Sequence, residues 1–146
     1  MSAVKYATSD LRLQFDDDCS RSITLRALWD VLRATPGMTV GDGDFSVYRD
    51  DARGLVMEVR AQFRGAGGRV SRATLGSPPG REAWADVNRV LLSIPHTSLP
   101  AAGLAPYVEV AETIAVALGW KVWDAQEDRY LLPRNRRPSE PPPSGD

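Results

Sequence analysis

His96 is the residue of this chain best suited to acid–base catalysis, and it is the one histidine in the sequence. An enzyme would use it as a general base beside Ser93 or Ser98. However, no G-x-S-x-G motif is present to hold a nucleophilic serine. We therefore predict no catalytic residue, and a small enzyme that uses His96 or the aspartate clusters is kept as an alternative.

Metal chemistry would depend on two groups of aspartates, Asp16–Asp18 and the pair Asp42 and Asp44. Carboxylate oxygens suit a hard cation such as magnesium, but the spacing does not match an EF-hand loop. The first group precedes a predicted helix and the second lies in a predicted turn, so both have structural explanations. Cys19 is the one cysteine, and a zinc site built on it would need mostly carboxylate ligands. We predict neither a metal site nor a cofactor.

Arginines and glycines are concentrated between residues 60 and 81, where no acidic residue occurs. The stretch GAGGRVSR lacks the Gly-Lys-Ser/Thr sequence of a phosphate-binding loop. A flexible basic loop can still bind phosphates. The alternative binding site for nucleic acid or a nucleotide therefore consists of Arg64, Arg69, Arg72 and Arg81.

A second candidate surface follows from alternating residues in the predicted strands. Residues 11–16, 45–49, 55–64 and 120–123 have strand patterns, and GLVMEVRAQFR shows the clearest alternation of apolar and polar side chains. If the helices cover one side of the sheet, the other side presents Arg12 and Gln14 together with aromatic and charged residues. Tyrosine, tryptophan and arginine dominate binding hot spots. The candidate protein-binding residues on this face are Tyr48, Val56, Glu58, Arg60, Gln62, Lys121 and Trp123.

Helical patterns predict the elements that position these strands. ITLRALWDVLRA and residues 104–118 each have an apolar stripe, and Gly119 ends the second helix. Residues 82–94 are ambiguous: Trp84, Val87 and Leu91 fall at helical spacing, but a short strand is also compatible with the sequence. We favour a helix there, and we leave open whether it covers the candidate sheet face.

The overall composition is that of a globular protein, with 146 residues and a net charge of −1. The near-zero charge excludes a global field that attracts nucleic acid or a membrane. The start of the sequence has no signal-peptide pattern, so we expect a cytoplasmic protein with no membrane contact. We predict one domain over residues 1–133 with a mobile loop at about 65–80. A disordered, proline-rich tail is predicted over residues 134–146.

The stretch ALGWKVWDAQ, residues 117–126, resembles the helix–glycine–strand–Asp-x-Gln ending of some small uncharacterised bacterial proteins. Some of those proteins resemble immunity proteins encoded beside toxins. The resemblance covers about ten residues and implies no catalytic residue. It implies a role in binding another protein.

Together these patterns predict an α+β fold with an antiparallel sheet of about four strands and two or three packed helices. A ferredoxin-like βαββαβ plan with an insertion over residues 65–103 is compatible with the order of elements. The predicted function is a non-catalytic protein-binding domain, immunity-like or otherwise accessory. The predicted partner is another protein, with nucleic acid as the alternative; the sequence does not define an oligomeric state.

Overall fold

The computed structural model describes residues 8–41, 43–73, 85–99 and 103–132. The predicted tail at 134–146, Asp42, Arg81 and residues 74–80 of the predicted loop lie outside them.

Strands predominate in the described chain. The strands are β1 (Thr8–Gln14), β2 (Ile23–Thr24), β3 (Met38–Val40), β4 (Phe45–Asp50), β5 (Leu55–Arg64), β6 (Val70–Arg72), β7 (Asp86–Val87), β8 (Arg89–Pro95), β9 (Lys121–Asp124) and β10 (Arg129–Leu132). The helices are α1 (Leu25–Arg33) and α2 (Ala105–Leu118). Short 3₁₀ turns occupy Ala66–Gly68 and His96–Ser98.

Eight of the strands form one antiparallel sheet, whose order is β10-β9-β1-β8-β5-β4-β3, with β6 paired to β5 beyond the end of β4. The short strands β2 and β7 form a separate pair. The prediction of about four strands in a ferredoxin-like plan is therefore wrong. It was wrong because the short strands, and β8 in the middle of the sheet, were not recognised from the sequence.

The helix prediction for residues 82–94 is also wrong over its described part. Residues from Arg89 onward form β8, which has β1 on one edge and β5 on the other. Val90, Leu92 and Ile94 are fully buried on one side of this strand. This segment forms a strand because its backbone pairs on both edges. The local spacing of apolar residues does not reveal these partners.

The predicted mobile loop at 65–80 contains regular structure in its described part. Val70–Arg72 pair with Gln62–Arg64 of β5 as a short antiparallel strand. Two glycines in the connection, Gly67 and Gly68, have φ values of 79° and 86°, a region that favours glycine. The glycine-rich sequence therefore forms a tight reversal between β5 and β6.

The two predicted helices are confirmed, and their ends have the expected caps. The Thr24 side chain accepts a hydrogen bond from the Ala27 backbone N–H at the start of α1. Pro106 lies in the first turn of α2, where its missing N–H leaves no hydrogen bond unmade. Gly119 ends α2 in the left-handed conformation, φ 73°.

Both helices pack on the same face of the sheet, and a single hydrophobic core lies between the two layers. The strand β5 shows this one-sided burial most clearly. Leu55, Met57, Val59 and Ala61 are at most 2% exposed, while the residues between them are half-buried or exposed. Alternation along each strand therefore separates a core face from a second face.

Tyr107 of α2 connects the helix layer to the sheet through its hydroxyl group. The ring is fully buried. The hydroxyl oxygen accepts a hydrogen bond from the Val56 backbone N–H at 3.1 Å and donates one to the Ser98 carbonyl at 2.8 Å. One side chain thus satisfies a sheet donor and a loop acceptor.

We predict that Tyr107→Phe lowers the free energy of unfolding by about 1–3 kcal/mol, because the backbone groups of Val56 and Ser98 lose their partner. Urea unfolding measures the change. Thr113→Ala is the control, since it removes an exposed hydrogen bond to the Glu109 carbonyl and should change stability by less than about 0.5 kcal/mol. Equal stability of Tyr107→Phe and the wild type would contradict the role of this hydroxyl.

Candidate functional site

The second face of the sheet carries the candidate site. Its side chains alternate with the buried core residues along strands β1, β4, β5, β8, β9 and β10. Its residues include Arg12, Gln14, Phe45, Val56, Glu58, Arg60, Gln62, Arg64, Arg89, Leu91, Lys121, Trp123 and Tyr130.

Six of these residues form a continuous cross-strand row, because each is the direct partner of the next in the strand register. The row runs Tyr130, Trp123, Arg12, Leu91, Arg60 and Phe45 across six neighbouring strands. Directly opposed side chains of an antiparallel sheet are close enough to contact one another. The row therefore forms an extended surface of alternating aromatic, cationic and aliphatic groups.

Ring contacts hold both ends of the cross-strand row. The Trp123 and Tyr130 rings meet edge to face, with their centroids 4.8 Å apart. The guanidinium carbon of Arg12 lies 5.7 Å from the Trp123 ring centroid, and that of Arg60 lies 4.7 Å from the Phe45 centroid. Such contacts stabilise side-chain positions by about 0.5–1 kcal/mol each at exposed sites, so these groups are partly preorganised.

The structure places six of the seven predicted face residues on the second face. Val56, Glu58, Arg60 and Gln62 alternate along β5, and Lys121 and Trp123 alternate along β9. Arg60 is exposed and forms an ion pair with Glu58 at 3.2 Å. The prediction that Trp120 and Trp123 face opposite ways is confirmed, since Trp120 is 5% exposed and belongs to the core while Trp123 is half-buried.

Tyr48 is the exception, and its assignment to the binding face is wrong. It is 4% exposed and lies opposite Met57 in the strand register, on the core face. In β4, the residues that face the core are shifted by one position from the predicted ones. Phe45 consequently takes the place on the second face that was assigned to Tyr48.

Several buried polar atoms on the second face make no hydrogen bond to the described part of the chain. These atoms are Gln14 Oε1, Gln62 Oε1, Arg89 Nε and Trp123 Nε1. Burial, followed by the charge of Arg12, lowers the pKa of the Arg89 guanidinium from its ordinary value. Leaving a buried donor unpaired costs about 1–3 kcal/mol, and more for a charged group. The second face thus contains polar groups that the described part of the chain does not satisfy.

Asn88 fixes the position of the neighbouring basic residues. Its side chain accepts a hydrogen bond from the Arg64 backbone N–H at 2.7 Å and donates one to the Arg64 carbonyl at 2.9 Å. Asn88 lies between β7 and β8, where the strand is interrupted. Its side-chain amide there takes the place of the backbone hydrogen bonds between β8 and β5. This arrangement holds the end of β5 beside the start of β8, where Arg89 lies.

The predicted arginine-loop site is divided by the structure. Arg64 lies on the second face, while Arg72 pairs with the buried carboxylate of Asp44 at 3.1 Å. Arg69 is exposed in the reversal before β6, and Arg81 lies outside the described residues. The described arginines of this predicted site therefore do not form one basic surface.

The candidate acid–base residues have local partners. His96 Nε2 lies 3.0 Å from the hydroxyl of Ser9. Among the described residues, no side-chain hydrogen bond joins His96 to Ser93 or Ser98, the partners that the enzyme alternative requires. Ser9 is 6% exposed, whereas His96 is exposed. Cys19 is buried, and this burial raises the pKa of its thiol.

Two of the aspartates that were considered for a metal site have separate local partners. Asp16 accepts two hydrogen bonds from Ser20, which hold the pKa of its carboxyl below the usual value. Asp17 accepts a hydrogen bond from the Tyr130 hydroxyl at 2.6 Å. Within residues 8–41, 43–73, 85–99 and 103–132, no group of three His, Cys, Asp or Glu side chains is arranged to hold a metal ion.

Sequence reasoning missed Phe45, Arg89, Leu91 and Tyr130 as members of the second face. The helix predicted over residues 82–94 includes Arg89 and Leu91, although Val90, Leu92 and Ile94 follow the two-residue period of a strand. That alternation was the available signal. Tyr130 was placed in a return segment without a face, since the register of β10 depends on its pairing with β9.

Comparisons of the chain with protein-family models and with curated proteins find no match. The resemblance of residues 117–126 to immunity-like proteins therefore stays a prediction. Of the helices in the described residues, neither is long and apolar enough to cross a membrane.

We predict that Asn88→Ala lowers the free energy of unfolding by about 1–3 kcal/mol or more, because both backbone groups of Arg64 lose their partners. Chemical denaturation measures the loss. Ser71→Ala is the matched control, since its hydroxyl makes only a 3.5 Å contact with the Phe63 carbonyl. If both variants unfold at the same denaturant concentration, Asn88 does not hold the strands together.

Tyr130 provides a prediction at alkaline pH. Burial and the hydrogen bond to Asp17 raise the pKa of Tyr130 from 10.0 to about 12. A pKa that is raised on folding stabilises the protein while the group is protonated, and this contribution is lost as the pH rises from 10 to about 12. Stability of the wild type should therefore fall more steeply over this window than that of Tyr130→Phe. Parallel stability curves in fluorescence-detected denaturation would contradict this.

Proposed function

We propose that the protein is a non-catalytic, accessory protein-binding domain whose partner contacts the second face of the sheet. The observation that carries the proposal is the cross-strand row from Tyr130 to Phe45. It combines aromatic and arginine side chains, the residue types that supply most binding energy in protein interfaces.

The shape of the second face supports a macromolecular partner. The row spans six strands, and neighbouring strands of a sheet are about 4.8 Å apart, so its length is on the order of 24 Å. A standard protein interface buries about 800 Å² on each partner, which requires a surface of this extent. Trp123 and Leu91 are half-buried, and Arg60 is exposed, so apolar and charged groups are available together.

The charge of the face supports a partner with an acidic surface. Arg12, Arg60, Arg64, Arg89 and Lys121 lie on the second face. In the described residues, ion pairs link only Arg60 among these five to an acid. A protein with a net charge of −1 thus carries a local basic surface, which steers and orients an acidic partner.

Affinity capture with matched variants tests the proposal. Tagged wild-type protein, Trp123→Ala and Arg60→Ala are used to isolate partners from lysate of the native organism at low salt. We expect one stoichiometric protein with the wild type and at least about tenfold less with either variant, as hot-spot residues contribute more than about 1.4 kcal/mol.

Arg33→Ala is the control for Arg60→Ala. Arg33 is also exposed, pairs with an acid (Asp30) and lies 5.7 Å from an aromatic ring, that of Trp29. It belongs to α1 on the opposite side of the sheet, so its substitution should leave capture unchanged. Equal capture by all variants, with folding confirmed by circular dichroism, would exclude the second face as the binding surface. Recovery of nucleic acid in place of a protein would favour the arginine-loop alternative.

A further inference from the structure

Three arginines on adjacent strands converge at one end of the second face. Arg12 is on β1, Arg89 on β8 and Arg64 on β5, and β8 pairs with both neighbours. Arg12 and Arg64 are both close enough to Arg89 to disfavour its charged form. In the part of the chain that the structure describes, none of the three forms an ion pair.

Arg89 also has a donor that no described group satisfies. Its Nε atom is buried and has no hydrogen-bond partner within residues 8–41, 43–73, 85–99 and 103–132, although the residue lies opposite Gln62 in the register. An arginine remains protonated in proteins, so the charge persists despite the unfavourable surroundings. A cluster of like charges with an unpaired buried donor is stabilised when it receives an anion.

We propose that Arg12, Arg64 and Arg89 form a binding site for a carboxylate group of an Asp or Glu side chain in an acidic segment of the partner. The inference rests on the proposed function, since it names the partner group that the second face receives. The planar guanidinium groups match the two oxygens of a carboxylate. Arg12, Arg64 and Arg89 are each half-buried, so part of each side chain is accessible to a partner.

The surroundings of the cluster favour a single carboxylate over the phosphates of a nucleic acid. Asp10 and Glu58 lie on one side in a neighbouring register row, linked through Ser93. Asp17 lies on another side, hydrogen-bonded to Tyr130 of the cross-strand row. A polyanion that crosses the face would pass these acids, whereas nucleic-acid binding needs several phosphate contacts in succession. One projecting carboxylate reaches the arginines without meeting that repulsion.

The neighbouring apolar groups suit a peptide segment. Leu91 separates Arg12 from Arg60 in the cross-strand row, and the Trp123 ring lies beside Arg12. Apolar side chains that flank an acidic residue can therefore contact Leu91 and Trp123 while the carboxylate contacts the cluster. This combination of an anchor and a charged pair is typical of protein interfaces.

Nuclear magnetic resonance tests the site in the intact protein. The Nε–Hε resonances of the arginine side chains are recorded during titration with a glutamate peptide, a ten-residue peptide that carries a single glutamate between apolar residues. The same peptide with lysine in place of the glutamate is the control. We expect saturable shifts of the Arg89 resonance with the glutamate peptide alone. A twenty-nucleotide oligothymidine probe is titrated in parallel, and tighter binding of this probe would overturn the inference.

Arg89→Lys is the main variant, because it keeps the charge and removes the planar donor group. We expect it to weaken binding of the glutamate peptide by about tenfold. The matched variant Arg33→Lys, on α1, should bind as the wild type does. Unchanged affinity of Arg89→Lys, or an Arg89 resonance that does not move, would overturn the inference.

Arg89→Leu distinguishes a binding role from a structural one. Removing a desolvated, unpaired charge should leave the midpoint of thermal unfolding unchanged or raise it, while binding of the peptide is lost. A lowered midpoint would show that Arg89 is needed for folding and would count against the site.

The two proposals fail in different ways. A partner whose capture depends on Trp123 but not on the Arg89→Lys change would support the second face and overturn the carboxylate site. Capture of no partner, together with a saturable shift of Arg89 by the glutamate peptide, would support the carboxylate site and count against the proposed function.

Discussion

The pairing of β8 with both β1 and β5 is the interaction on which the rest of the structure depends. β8 joins the strands β10, β9 and β1 on one side to β5, β4 and β3 on the other. Val90, Leu92 and Ile94 of this strand are fully buried, so the same residues that complete the sheet also complete the core. The cross-strand row is continuous only because Leu91 of β8 lies between Arg12 and Arg60.

The packing of both helices on the core face has an energetic consequence for the second face. The helices remove the core face from water, and α2 is tied to the sheet by the Tyr107 hydroxyl. The second face keeps polar side chains on a rigid surface, where Arg89 and Gln62 each have a buried atom that no described residue hydrogen-bonds. Groups that are held in place without being satisfied can bind a partner at little cost in conformational entropy. The rigidity of the sheet and the unsatisfied polar groups therefore both favour binding of a partner to the second face.

Those parts of the fold with strong local patterns could be predicted from the sequence. The helices α1 and α2 have caps and apolar stripes, and β5 has ten residues of clear alternation. The strands β2, β3, β6 and β7 have two or three residues each, too few to establish a period. For β8, Val87, Val90 and Ile94 also fit helical spacing, because the irregularity at Asn88 puts Val87 out of phase with the strand.

A residue of the candidate site could be predicted only where the sequence shows which side chains of its strand face the core. Gln62 and Trp123 were placed by alternation within one strand, whereas the position of Tyr48 depended on where β4 enters the sheet. The closeness of Arg12, Arg64 and Arg89 could not be predicted, since it arises from the order of β1, β8 and β5 in the sheet. These arginines are separated by 52 and 25 residues in the sequence, and Asn88 brings the last two together. The charge of the second face is therefore a property of the topology, although the net charge of the chain is close to zero.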